Sequence, residues 1–385
     1  MRAHLTVVGG GLGGLVAAIS SREAGFEVTL HEARKELGGR ARTTPGPRRA
    51  NWGPHVIYSD GPLWAWLDQR GLARPAGSVP NIPRLAFRVD GCARTLPPRR
   101  VLAALLRLRG SEAPVDRAFR DWTTERLGDP EVAGRISNLM GVATFDHDPG
   151  RLSAAFVNER LRRGTRLPSP VRYVPGGWAT LVDRLAGHAR RIGVRIETDS
   201  PVDRLPPAPV VLAVALARAA ELLDDRSLTW TGTRTALLDV GLARRRRDPF
   251  IVSDLDAPGW VETYSIADAS LAPPGEHLVQ SQTGLRPGET LDQGVARLEQ
   301  LLDTAFVGWR DRETWRRRLA VTDESGALDL PGTTWRDRPG GDRGDGVFVV
   351  GDMVAAPGLL SEVTHQSAVD AVSRLTGERR LTRVA

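Results

Sequence analysis

The sequence predicts an α/β fold built on a parallel sheet and interrupted by an inserted α+β lobe. Three observations predict it. A β-branched run, Leu5-Thr6-Val7-Val8, leads directly into Gly9-Gly10-Gly11-Leu12-Gly13-Gly14. A second strand, Glu27-Val28-Thr29-Leu30, follows, with an acid at Glu32. A third apolar strand, Val347-Phe348-Val349-Val350, ends in Gly351-Asp352 near the other end of the chain, so distant segments must assemble the sheet.

The N-terminal elements follow from backbone demands. Gly9, Gly11 and Gly14 satisfy G-x-G-x-x-G between a strand and a helix that continues through Leu15-Val16-Ala17-Ala18-Ile19. Gly9 makes the tight turn, Gly11 lets backbone approach a pyrophosphate, and Gly14 allows close helix–strand packing. The helix start offers unpaired N–H groups and partial positive charge to phosphates, with Leu12 and Gly13 in that first turn. Glu32 lies 18 residues after Gly14, near the spacing at which an acid holds a ribose hydroxyl. This is a Rossmann-like dinucleotide site. Val7 to Ile19 also invites a signal-peptide reading, but five of those residues are glycine, a poor apolar helix.

Composition bounds the function. The chain has 385 residues, 41% hydrophobic and 26% charged, which is ordinary globular composition. Its net charge is +7, Lys35 is the only lysine, and the arginines are spread along the chain. Arg244 to Arg247 is the one dense run, so a nucleic-acid partner is not expected. The lone cysteine, Cys92, allows no intramolecular disulfide and fits a cytoplasmic setting. Asp146-His147-Asp148 is not read as a metal site, because adjacent residues rarely converge on one ion and Asp148-Pro149-Gly150 signals a turn.

In the middle of the chain, Gly61 to Arg70 reads as a short amphipathic helix. Leu85 to Gly91 reads as a hairpin arm with Asp90-Gly91 at the turn. Val101 to Arg109, preceded by Arg99 and Arg100, is a basic amphipathic helix. It either packs in the core or touches a membrane surface, which makes the location cytoplasmic or peripheral to a membrane. Residues 112–163 look helical. A helix from Trp178 to Arg191, a strand at Gly193 to Thr198 and an apolar strand and helix at Val210 to Ala217 return to the parallel sheet. A strand is expected at Trp260 to Ser265, and a final helix opens at Pro357-Gly358-Leu359-Leu360-Ser361 and reaches about Leu375.

Several of these segments resemble the phytoene-desaturase-like branch of the flavin amine oxidase superfamily. They are Glu32-Ala33-Arg34-Lys35-Glu36-Leu37-Gly38-Gly39-Arg40, Asn51-Trp52-Gly53-Pro54-His55, Tyr173-Val174-Pro175-Gly176-Gly177-Trp178, and the terminal Gly351-Asp352. The resemblance implies bound FAD. Gly38, Gly39 and Arg40 would meet the pyrophosphate, with Ala33 and Arg34 beside the ribose acid. Gly53 and Pro54 would lie near the flavin ring, and His55 would lie there as a candidate proton relay, the only catalytic candidate. The Val202 backbone would meet the adenine. Asp352 would bind the ribityl chain or phosphate oxygens, and the helix start at Leu359, Leu360 and Ser361 would face the flavin N1/O2 edge.

The same resemblance implies an FAD-binding domain from 1–75, 171–230 and 335–385. The substrate domain then comprises 76–170 and 231–334. The implied activity is that of an FAD-dependent dehydrogenase or desaturase taking a hydride from an apolar or secondary-metabolite small molecule. The alternatives are an amine or amino-acid oxidase, a redox-neutral flavin isomerase, or a non-catalytic escort-type binding protein on the same fold. Two departures stand out. The chain is short for a long polyene tunnel, and no lysine is available for the position that amine oxidases place over the flavin N5. An aromatic cage from Trp335 or Tyr264 would favour amine oxidation.

Overall fold

The computed structural model describes residues 3–53, 56–75, 84–323 and 326–377. The chain opens with β1 (His4–Val8), α1 (Leu12–Glu23) and β2 (Glu27–His31), followed by β3 (Val56–Tyr58) and α2 (Pro62–Gln69). It then leaves for a first excursion through β4 (Leu85–Val89), β5 (Cys92–Arg94), α3 (Arg99–Arg109), α4 (Phe119–Leu127), α5 (Pro130–Leu139), α6 (Gly141–Thr144) and α7 (Ala154–Gly164). It returns with β6 (Val171–Tyr173), α8 (Gly177–Arg191), β7 (Arg195–Glu197), β8 (Val210–Leu212) and α9 (Leu216–Leu223). A second excursion carries β9 (Arg234–Ala243), β10 (Ile251–Asp254), β11 (Trp260–Glu262), α10 (Tyr264–Ala267), β12 (Glu276–Gly284), α11 (Leu291–Ala305) and β13 (Glu313–Thr322). The chain comes back to β14 (Val347–Val349) and α12 (Ser361–Leu375).

The parallel sheet has the order β14-β8-β1-β2-β7. Its strands are short apolar runs because both faces are covered: Leu5, Val7, Leu30 and Val211 are buried, with α1, α8 and α12 among the packed elements. The order also explains why the sheet could not be read from one contiguous stretch. β1 pairs with β2 on one side and with β8, some 200 residues later, on the other.

A seven-stranded sheet, β13-β9-β12-β11-β10-β4-β5, forms the lobe, with α11 against one face. A two-stranded link, β3 with β6, joins the points where the first excursion leaves and returns. The hairpin is present: Asp90 and Gly91 adopt φ 53° and 71°, the left-handed pair a two-residue turn needs. The strand expected through Ser265 stops at Glu262, and Tyr264–Ala267 is a helical turn instead. The final helix starts at Ser361 rather than Pro357.

α3 has two faces. Val101, Ala104 and Leu108 are buried in the helical core of the lobe with Phe119, Ile136 and Val157. Leu102 and Leu106, one turn apart, are exposed. No helix among the described residues is long and apolar enough to cross a membrane.

Candidate functional site

The glycine turn is built as the fingerprint requires. Gly9 has φ 103° and donates its N–H to the His31 carbonyl at 2.7 Å. A Cβ on Gly14 would overlap the Gly9 carbonyl, which is why the first turn of α1 can press onto the end of β1. At Gly11, by contrast, a Cβ would sit in ordinary contact with Gly38 and Gly39, 3.7 and 3.8 Å away, where the two glycine segments meet at the cavity wall. The Gly38 N–H donates to the Gly10 carbonyl at 2.8 Å, so the second glycine pair is tied directly to the first. The Glu32 carboxylate accepts from the Gly10 and Arg34 N–H groups, at 2.7 and 3.0 Å.

These segments line one cavity of about 630 Å³. It brings together Gly9, Gly11, Leu12, Gly13, Glu32, Ala33, Arg34, Gly38, Gly39, Arg40, Val202, Gly351, Asp352, Leu360 and Ser361. Three expected residues stand outside its wall. Gly14 packs behind the turn, Gly53 is buried beside the lining residue Trp52, and Leu359 is buried at 2% exposure. The chain turns sharply at Leu360, with φ 55° and ψ −123°, so Leu360 and Ser361 reach the cavity and Leu359 does not. A leucine in that conformation is strained backbone at a cavity wall. Pro54 and His55 lie outside the described residues.

Arg40 and Asp352 form an ion pair of 2.6 Å across the groove. The Arg40 guanidinium also donates to the Asp323 carbonyl. Burial pushes the Asp323 carboxyl up, Arg40 pulls it down, and the nearby Asp352 charge adds to the rise. The Arg40 guanidinium thus sits between the Asp352 carboxylate and the Asp323 carbonyl, on the segments that follow β14 and β13.

Sequence reasoning missed the lobe side of the cavity. From the lobe come Phe145 and the β13 residues Ala320 to Thr322, and beside them the wall takes in Arg42, Trp52, Val56 and Trp178 from the segments around β3 and the start of α8. The Arg42 guanidinium stacks over the Trp52 ring at 4.8 Å. Phe145 packs edge-on against Trp260 of β11, with centroids 5.2 Å apart. Trp178, quoted within a motif, carries no individual signal. Phe145 reads in sequence like any core aromatic.

The segment before Gly53 is clamped to the lobe sheet. The Asn51 carbonyl accepts from Gln280 Nε2 at 3.0 Å and Arg317 Nη2 at 2.5 Å, and its N–H donates to Gln280 Oε1 at 3.2 Å. Asp239, fully buried, accepts from both Gln280 and Arg317 and fixes their positions. Asn51 Oδ1 accepts from the Trp178 N–H at 2.9 Å, so one asparagine holds two walls of the cavity.

Two aromatic residues considered for an amine cage lie elsewhere. Tyr264 is buried beneath β3 and β6, where it and Tyr173 hydrogen-bond the Glu262 carboxylate. Burial pushes Glu262 up to about 7. Trp335 stacks under Arg336 and does not line the cavity. Asp146 accepts both Arg151 donors, and Asp148 accepts from Arg120 and the Gly150 N–H.

A parallel sheet with a glycine turn, a ribose-distance acid and a groove across the strand ends defines a Rossmann-type dinucleotide-binding protein. Residues 7–70 match the NAD(P)-binding Rossmann-like domain family. The chain is 23% identical to a 4,4'-diapolycopen-4-al dehydrogenase of Metabacillus indicus, with 83% of this chain and 84% of that protein covered. A local match, 54% identical over 56 residues, links it to the hydroxyneurosporene desaturase of Cereibacter sphaeroides; it covers 14% of this chain and 11% of that protein. Among solved structures, an oxidoreductase from Methanosarcina mazei superposes with a TM-score of 0.80 at 17% identity, over 96% of this chain and 100% of that one. Cyclohexylamine oxidase from Brevibacterium oxydans superposes with 0.72 at 15% identity, over 98% and 99%. The chain thus shares the fold of these oxidases and oxidoreductases and carries a Rossmann-like NAD(P)-binding domain at its site.

Proposed function

We propose that this protein is a dehydrogenase or desaturase that holds FAD along the cavity and oxidises an apolar small molecule. The carrying observation is the cavity's two-part wall. One part is the glycine turn, the Gly38–Arg40 segment, Val202 and Asp352; the other is the apolar surface of Trp52, Val56, Phe145 and Trp178. The groove fits a dinucleotide because Gly351 leaves open the space that a Cβ would fill, with Gly11, Gly38 and Gly39 also in the lining. FAD, when bound, supplies the hydride-accepting chemistry.

The chain's own residues do the rest. Glu32 is fixed by two backbone donors as the acid for a ribose hydroxyl. Arg40 supplies a charge for phosphate, and Asp352 is its counter-ion and an acceptor for hydroxyls. The start of α12 at Ser361 contributes a positive helix end at the cavity wall. Trp52, Phe145 and Trp178 exclude water from an apolar substrate and hold it by area, not by charge. His55 is the candidate proton relay. The relatives named for carotenoid aldehydes and hydroxyneurosporene support an apolar substrate.

Absorbance of the purified protein tests the reading. A two-band flavin spectrum that bleaches anaerobically on an apolar alkene or aldehyde donor, and not on amines, is expected. Hydrogen peroxide release on amines would replace the reading with amine oxidation. A colourless protein that cannot be reconstituted with FAD would overturn it.

A further inference from the structure

Six large apolar side chains are strongly exposed among the described residues, and three of them are Leu96, Leu102 and Leu106. Their exposures are 72%, 47% and 64%. All three lie within eleven residues, on α3 and the segment leading into it. Residues 91–111 also hold five arginines, Arg94, Arg99, Arg100, Arg107 and Arg109, and no acid. Arg94, Arg99, Arg100 and Arg107 are exposed. Arg99, Leu102, Ala103 and Leu106 follow i, i+3, i+4, i+7 spacing, so leucines and arginines share one side of the helix. The nearest counter-ion to this side is Asp129, 3.9 Å from Arg100.

We propose that this face of α3, with Leu96, is a docking surface for an anionic lipid bilayer. The opposite face of the helix is already spent: Val101, Ala104 and Leu108 anchor it in the lobe core. What remains is a strip of exposed aliphatic side chains set among guanidinium groups. That is the composition of a helix lying in the bilayer interface, with leucines entering the acyl boundary and arginines at headgroup level. A protein partner would be expected to use aromatic anchors in a groove, and the strip has neither. Charge complementarity decides for lipid, since the strip carries cations only. The inference rests on the helix surface and stands apart from the cofactor reading.

Co-sedimentation of the full chain with vesicles tests it. Vesicles of phosphatidylcholine with about a third phosphatidylglycerol should bind the protein, and pure phosphatidylcholine vesicles should bind it far less. Each interfacial arginine is expected to contribute about fivefold in partitioning. Arg99→Glu with Arg100→Glu should therefore cost more than about twentyfold. Leu102→Ser with Leu106→Ser should cost more than about tenfold while leaving the thermal midpoint and any flavin spectrum unchanged. Three results would overturn the proposal. The wild type stays in the supernatant with both vesicles; or the variants bind as the wild type does; or light scattering shows a lipid-free dimer that the leucine variant dissolves, which gives the strip to a second copy of the chain.

Discussion

Arg40 and Asp352 stand 312 residues apart in sequence and form an ion pair of 2.6 Å across the groove. The pair joins the loop after β2 to the end of β14, the two walls between which a dinucleotide would lie. Asp323, at the end of β13, meets the same guanidinium through its carbonyl.

Arg40→Ala should weaken FAD binding by roughly 1.5–3 kcal/mol, the size of a hydrogen bond to a charged group. Ultrafiltration of free FAD against a protein titration measures it. Unchanged affinity would mean that the phosphate lies elsewhere.

Two glycines of the fingerprint should fail in different ways. Gly14→Ala forces a methyl into the Gly9 carbonyl, and overpacking of this kind costs about 1–3 kcal/mol of stability. Gly11→Ala sets its methyl in ordinary contact with Gly38 and Gly39, 3.7 and 3.8 Å away, so the thermal midpoint should hold while FAD affinity falls. Differential scanning calorimetry with parallel flavin titration separates the two effects.

The Asn51 clamp should be expensive to break. Asp239→Ala leaves Arg317 without its buried partner and should cost about 3–5 kcal/mol in urea unfolding. Combining it with Arg317→Met should recover part of that loss, because no unpaired charge remains. Equal stability of the single and double variants would show that the pair does not act as a unit.

Two buried groups give stability opposite slopes with pH. Burial raises Glu262 to about 7, so the folded chain keeps a proton that the unfolded chain releases near 4.5. Its contribution is complete below 4.5 and is lost as pH rises through 7. Burial, with the nearby Arg70 charge, lowers His365 to about 4, so the folded chain stays neutral where the unfolded one protonates below 6.5. That contribution is present above 6.5 and is lost as pH falls through 4. Each slope amounts to about 3 kcal/mol by order of magnitude. Glu262→Gln should therefore tilt the urea-unfolding profile upward with pH relative to wild type, and His365→Gln should tilt it downward. Parallel profiles in all three proteins would refute the assignment.

What the sequence made legible were backbone constraints. Gly9 and Gly14 announce themselves because no side chain fits there, Gly11 follows from its place between them in the motif, and Glu32 follows from spacing. Arg40 and Asp352 were reached through the family resemblance. The lobe wall was hidden for a physical reason. Asp239, Gln280 and Arg317 become neighbours only when β9 pairs with β12 on one side and β13 on the other. No local pattern encodes that register. Leu359, expected beside Leu360 and Ser361, is buried next to the cavity, and no local pattern announces the positive φ at Leu360 that separates them.

The threading of the parallel sheet has a consequence for synthesis. α1 leaves the ribosome long before its packing partner α12, which follows only after about 340 more residues. At roughly 5–20 residues per second, the apolar side of the first helix waits tens of seconds for its cover. Nascent chains of this protein should therefore be clients of ribosome-associated chaperones. A stop codon before Ser361 should yield insoluble material rather than a shortened enzyme.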